Sequence, residues 1–283
     1  HRTWAPVPCR CTVRTPTPSG SKAAFVATQR HASIVKQAIK TENYNSLTDM
    51  WEMNEEGLNE LREAGKNITD GQLESRYSGF GLKDLATIIY TSGTFGKPKG
   101  CELTHGNFVE LSKNTLTRLG HIVNPNSSTV MFIPLAHVFA RFIAVICVAG
   151  GAKVGHTSDI KDLVDDLQSY KPSFLLAVPR VFEKVYNAAK AKAEDGGKGK
   201  IFAAGENVAV EWSKAAMTGN VPLSLKLKRA LFDKLLYGKI KAAMGGNVEY
   251  AVSGGAPLGA HLGHFFYGIG VQILEGYGLT ETT

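Results

Sequence analysis

The chain has 283 residues, 43% hydrophobic and 20% charged, which suits one large or two medium globular domains with a sizeable core. Its net charge of +7 fits a partner carrying anionic groups, such as a nucleotide, coenzyme A or a membrane surface, and selects none of them. Four cysteines are too few for a disulfide scaffold, their spacing is not that of a zinc site, and they point to a reducing, cytosolic compartment.

Residues 1 to about 30 hold four of the eleven prolines and no periodic apolar pattern. Little fixed structure is predicted there, and residues 1–40 are set apart as an irregular segment from 41–283. From about residue 86 the pattern is regular. "ATIIY" (86–90) reads as a strand that ends at a glycine-rich loop. "HGNFVELSKNTLTRLG" reads as a helix beginning near residue 104, and "TVMFIPL" (129–135) as a second strand. "HVFARFIAVICVAGG" reads as a buried helix closed by glycines. Its apolar run falls well short of the ~18 residues a membrane-spanning helix needs. A short strand "AKVGH", a helix "DIKDLVDDLQSY" and a strand "SFLLAV" (173–178) follow, and Pro179 starts the next helix. Helices are predicted over 202–217 and 223–244, then two strand-plus-glycine-loop units, "VEYAVSGGAPL" and "VQILEGYGLTETT".

Strands alternating with helices of ten or more residues call for an α/β fold with parallel pairing through crossovers. In such sheets ligands sit beyond the carboxyl ends of the strands. The loops after Tyr90, Val252 and Glu275 take that place, and each is rich in Gly, Ser or Thr. One shared site is expected.

The stretch "YTSGTFGKPKG" (90–100) has the composition of a polyphosphate cradle. Gly93 and Gly96 let backbone N–H groups come close. Thr91, Ser92 and Thr94 add hydroxyl donors, and Lys97 and Lys99 add ammonium charge around the stiff Pro98. A flexible linker is the plain alternative, but the apolar strand directly before the loop argues against it. The string is not a Walker A loop, and no Rossmann G-x-G-x-x-G occurs.

"YTSGTFGKPKG" resembles the phosphate-loop signature YTSGTTGxPKG of adenylate-forming enzymes. "IPLAHVFAR" (133–141) is similar to the family motif that leads to the acyl site. "AVSGGAPL" (251–258) resembles the loop flanking adenine, and "EGYGLTETT" (275–283) the adenine and magnesium motif. "PSFLLAVPRVFEKVYNAA" and "CELTHGNF" narrow the resemblance to long-chain fatty acyl-CoA synthetases, most of all the bacterial forms. It covers residues from about 48 to 283.

The resemblance implies the parallel-sheet α/β layers of the adenylate-forming N-terminal domain, in incomplete form. It implies a ligase that uses ATP and Mg2+ to activate a long-chain fatty acid as the acyl-adenylate and then transfers the acyl group to coenzyme A. Thr91, Ser92, Gly93, Thr94, Gly96, Lys97 and Lys99 would hold phosphates. Gly254, Gly255, Ala256, Glu275, Gly276, Tyr277 and Gly278 would bind the adenine side. Thr280 would donate to the α-phosphate and Glu281 would hold magnesium, so Thr91, Lys99, Thr280 and Glu281 would carry the catalytic step. His137 and Arg141, at i and i+4, would line the acyl site. Plain alternatives stand beside these roles: a packed aromatic for Tyr277, a capping carboxylate for Glu281, and a core histidine for His137. No nucleic-acid partner is expected. The helix 223–244 reads either as a packed helix with a solvated basic face or as a contact with an anionic membrane surface at the inner face.

Two departures from the family stand out. Phe95 replaces a threonine of the phosphate loop, and a lost hydrogen bond to a charged group costs roughly 1.5–3 kcal/mol, so Phe95→Thr is expected to improve ATP binding. The family's ribose-binding aspartate, hinge and small C-terminal domain with its catalytic lysine come later than residue 283. The expectation is therefore a fragment of a longer enzyme. The alternative is a nucleotide- and acyl-binding fragment without turnover, or an inactive product.

Overall fold

The structure, a computed structural model, describes residues 20–42, 46–91, 99–157 and 159–282. The chain divides into two compact units, with the change at Gly106 and Asn107. Sequence reasoning draws its boundary at residue 40 instead.

The first unit opens with β1 (Ala23–Val26), α1 (Gln29–Glu42) and β2 (Asp49–Glu52), and β1 pairs parallel with β2. This corrects the expectation of an irregular segment through residue 40. Val26 and Ala32 are buried, and Ala32, Val35 and Ile39 share the inward face of α1 at helical spacing. Phe25 stacks on Trp51 across the strand pair, ring centroids 5.4 Å apart. Helix α2 (Glu55–Gly65) starts where the Asn54 side chain accepts the Gly57 N–H. Helix α3 (Asp70–Tyr77) is opened by a reciprocal capping box of Thr69 and Gln72. Strands β3 (Leu85–Thr91) and β4 (Lys99–Thr104) then form an antiparallel hairpin. The expected parallel pairing fails here for a geometric reason: residues 92–98 are too few for a crossover, which needs a dozen or so residues.

Helix α4 (His105–Leu119) leads into the second unit, which is the α/β body. Strand β5 (Ser128–Met131), α5 (Val138–Gly150) and β6 (Lys153–His156) form a parallel β-α-β unit. Helix α5 ends at Gly151, whose φ of 72° lets the chain leave the helix in the left-handed region. Helix α6 (Leu163–Tyr170) starts four residues later than the sequence suggests. Strand β7 (Phe174–Ala177) is followed at once by α7 (Pro179–Asp195), with proline at its first position as expected. Helix α8 (Gly199–Met217) comes next. The predicted helix 223–244 is α9 (Leu223–Phe232), one π turn (Asp233–Tyr237) and α10 (Gly238–Ala243) in succession. Strand β8 (Tyr250–Gly254), α11 (Ala260–Ile269) and β9 (Gln272–Gly276) complete a parallel sheet in the order β7-β8-β9.

Strand β7 shows why this unit is layered. All four of its residues are buried, yet they face two ways. Phe174 and Leu176 pack with Ala140, Ile143, Ile146 and Cys147 of α5 on one side. Leu175 and Ala177 pack with Phe182, Phe202, Phe265 and Phe266 of α7, α8 and α11 on the other. A sheet covered by helices on both faces reads as a continuous apolar run, and "FLLA" is one. Each fully buried Leu or Phe contributes roughly 1.5–3 kcal/mol of transfer free energy.

Burial in the α5 layer pushes the Cys147 thiol up to about 11. Its thiolate is the reactive form. In the folded chain at about pH 8, Cys147 is therefore expected to react with iodoacetamide at least ~100-fold more slowly than an exposed cysteine, a contrast lost in denaturant. Peptide mass mapping of the labelled chain checks this.

Candidate nucleotide site

The hairpin β3–β4 places Thr91 opposite Lys99 and Tyr90 opposite Gly100. The two ends of the glycine-rich loop are thereby held in register. Ser92, Gly93, Thr94, Phe95, Gly96, Lys97 and Pro98 lie outside the described residues. Gly100 is tightly packed: a Cβ there would lie 3.0 Å from the Ile88 side chain and 3.3 Å from the Tyr90 ring, and those side chains would have to give way.

In the second unit, β8 and β9 run parallel and end together, with Gly254 paired to Gly276 and Ser253 to Glu275. Their two loops therefore leave the same edge of one sheet, where α/β proteins hold ligands. Gly255 has a φ of 83°, which a side chain would oppose, and this turns the chain sharply out of β8. The Glu275 carboxylate reaches back across the edge and accepts the Leu258 N–H at 2.7 Å. Glu275 thus fixes the loop that holds Gly255 and Ala256. Gly254 is pressed from outside the sheet, since a Cβ there would lie 3.0 Å from the Phe139 ring and 3.3 Å from the Gly276 carbonyl.

Beyond Gly276 the chain passes Tyr277 and Gly278 into a short 3-10 turn, Thr280–Thr282. Tyr277 is 93% exposed. It is not a packed aromatic; its ring face is open to solvent. Glu281 is exposed in that turn. Among the described residues no group of three or more His, Cys, Asp or Glu is arranged to hold a metal ion. A carboxylate at an exposed turn fits magnesium, which takes few protein ligands when phosphate oxygens and water complete its shell.

His137 is not a core histidine. It is exposed and caps α5, its Nδ1 accepting the Phe139 N–H at 3.2 Å. The Arg141 Nε donates to the Leu135 carbonyl at 3.0 Å, which turns the guanidinium back toward the chain before the helix. Two cavities in the structure touch none of these residues. One of about 260 Å³ lies in the first unit beside Ala32, Glu52 and Gly57. One of about 190 Å³ lies at the amino ends of β5, β7 and β8, beside Ser127, Ser173 and Tyr250. Sequence reasoning missed Phe139, which shapes the edge at Gly254, and Ser253, whose hydroxyl is buried there with no partner among the described residues. Their only sequence signal is membership of the two motifs.

Parallel strands with helices on both faces, ending together in glycine loops, define the second unit as an α/β ligand-binding fold. The comparisons with known proteins then fix the family. The pattern of AMP-binding enzymes matches residues 17–283, and the chain belongs to that family. The match begins well before residue 48, so the stretch the sequence set aside as poorly matching lies largely within it.

Among curated proteins, the long-chain-fatty-acid–CoA ligases FadD15 of Mycobacterium bovis and Mycobacterium tuberculosis are each 44% identical over 262 residues, 92% of this chain. The chain spans 43% of the length of each. Long chain acyl-CoA synthetase 3 of Arabidopsis thaliana is 36% identical over 206 residues, 70% of this chain and 30% of that protein. Among solved structures, the adenylation domain of a carboxylate reductase from Mycobacterium chelonae aligns with a TM-score of 0.61 at 21% identity. It covers 93% of this chain and 40% of that one. The N-terminal domain of FACL13 from Mycobacterium tuberculosis aligns at 0.57 and 17% identity, over 93% of this chain and 52% of that one. At such identities these structures establish the fold alone.

Proposed function

We propose that the chain carries the nucleotide- and acyl-binding part of a long-chain fatty acid–CoA ligase, whose substrates are ATP, a long-chain fatty acid and coenzyme A. The observation that supports this best is the common end of β8 and β9, where Gly254 meets Gly276 and Glu275 ties down the Leu258 loop. The similarity to the FadD15 ligases points to the same substrates.

In this reading Gly254, Gly255 and Ala256 offer a flat backbone surface to adenine, and Tyr277 lays its exposed ring on the base. Thr91 and Lys99, with the loop residues from Ser92 to Lys97, bind the β- and γ-phosphates. Thr280 donates to the α-phosphate. Magnesium at Glu281 would offset the negative charge that builds as a carboxylate approaches that phosphate. His137 and Arg141 serve the acyl substrate. The reading places the protein in the cytoplasm, in keeping with four cysteines, too few for a disulfide scaffold. A second reading, binding without turnover, is favoured by Phe95, which removes a hydroxyl from the phosphate loop.

Calorimetric titration of ATP with magnesium into the 283-residue chain tests the proposal. The parent is expected to bind, and Phe95→Thr to bind more tightly. Thr280→Ala is expected to lose roughly tenfold or more in affinity, as deletion of a hydrogen bond to a charged group does. Absence of binding by both the parent and Phe95→Thr would overturn the nucleotide assignment. Thr280→Ala equal to the parent would remove Thr280 from it.

A further inference from the structure

Helix α11 begins directly beyond the glycine loop of β8, with Gly259 before its first residue, Ala260. Its first turn has no side-chain cap and no acidic residue. The second residue of the helix is His261, and a cation there opposes the helix dipole. The neighbouring helices explain the choice. The His261 Nε2 lies 2.6 Å from Oε1 of Glu206 on α8. The same oxygen accepts the Tyr186 hydroxyl of α7 at 2.6 Å. Three helices thus meet at one carboxylate.

The Glu206 side chain is 15% exposed and that of His261 57%. A carboxylate so far out of water calls for a positive partner, and among the described residues its ion-pair partner is His261. Tyr186 does not supply the charge. Burial first, then its hydrogen bond to Glu206 and the charges of Glu206 and Glu194, push its hydroxyl well above the usual phenol range, so it stays a neutral donor. His264, one turn further along α11, is held by the Ser213 hydroxyl at 2.9 Å. Residues 254–259 link β8 to this helix. Their β8 end is fixed where Gly254 pairs with Gly276, and their middle where the Leu258 N–H meets Glu275. The far half of α11 is locked by the close approach of Gly268 to Ala209. Its first turn is not, since Ala260 and His261 are exposed, and there the bond to Glu206 makes the tie.

We propose that His261, held by the Glu206 carboxylate, is a positioning residue for the nucleotide, and that its protonation sets how firmly residues 254–259 are held against adenine. The inference rests on the reading of residues 254–256 as the adenine surface. Histidine changes its charge between about pH 5 and 8. The cation makes a charge-assisted bond to Glu206, roughly twice as strong as a neutral one. The loop is therefore held most firmly at the acid end of that range and loosens as the pH rises. An arginine in place of His261 would stay charged throughout.

The test joins amide hydrogen exchange to calorimetric titration of ATP with magnesium. His261→Ala is expected to speed exchange over residues 255–264 and to lower ATP affinity about fivefold or more, the lower end of ordinary coupling between sites. His261→Arg is expected to restore both. Between about pH 6 and about pH 8 the parent should lose affinity relative to His261→Arg by about twofold or more, as charge assistance fades. That ratio cancels the titration of the nucleotide's own phosphates. Glu206→Gln keeps the shape and an acceptor for Tyr186 and should abolish the pH dependence, so it decides the matter if His261→Ala folds poorly. The proposal is overturned if exchange over 255–264 is unchanged in both variants, if they lose urea stability yet bind ATP as the parent does, or if the ratio of parent to His261→Arg is constant with pH. A parent that binds no ATP, while exchange still responds to His261→Ala, refutes the adenine assignment itself and this role of the pair with it.

Discussion

Gly268→Ala is expected to destabilise the chain by more than about 2 kcal/mol, against the trend for glycine in helices. Replacing a helical glycine by alanine ordinarily stabilises by roughly 0.5–1 kcal/mol, because it removes backbone freedom from the unfolded chain. At Gly268 the added methyl would run into the Ala209 carbonyl and backbone of α8. Backbone cannot rotate away, so α8 and α11 must move apart. Overpacking costs typically 1–3 kcal/mol, and more when the obstacle is rigid. Gly263 lies in the same helix with nothing within 4 Å of its would-be Cβ. Gly263→Ala should therefore stabilise. Urea midpoints for the two variants should move in opposite directions. A shared direction would mean that α8 and α11 do not meet at Gly268.

Phe266→Ala is expected to cost about 3–5 kcal/mol, the usual range for emptying a buried phenylalanine site. Phe266 is fully buried, edge-on to Phe182 at 5.5 Å and to Phe265 at 5.4 Å. The two rings against it, Phe182 and Phe265, are themselves fully buried and have little freedom to collapse into the space. The melting temperature should fall by on the order of 10 °C. Val148→Ala is the matched control. Val148 is 82% exposed on α5, and its loss should change stability by about 0.5 kcal/mol or less. An equal effect at the two positions would refute the three-layer packing.

The parts of the fold that were legible in the sequence are those whose signal is local. The strand β7 is a short apolar run between Pro172 and Pro179, and α7 starts at that second proline. The buried helix α5 and its closing glycines were legible for the same reason. Strand β4 was not, because only Cys101 and Leu103 mark its inward face, directly after a loop of glycine and lysine. Helix α11 carries two glycines and three aromatic rings in ten residues, weak helix formers that tertiary packing overrides. In the first unit, β1 and β2 are four residues each, and only pairing with one another makes them strands. The candidate site divides in the same way. The motifs marked the loops, but the register that sets Gly254 beside Gly276 depends on two strands separated by a helix. The hydrogen bond from Leu258 to Glu275 could not be read from residue types.

Strand β7 also carries a consequence for how the molecule is made. Along one side β7 pairs with β8, and the chain between them contains four helices. During synthesis "FLLA" leaves the ribosome long before Tyr250 and Ala251 exist to complete it. Along its other side Ser173 can already join Ser128, which precedes it in the chain. Closing so long a loop is slow compared with forming the helices within it. Meanwhile an apolar strand edge is open to other chains. Refolding from denaturant should thus be limited by the arrival of β8, with yields that fall as protein concentration rises.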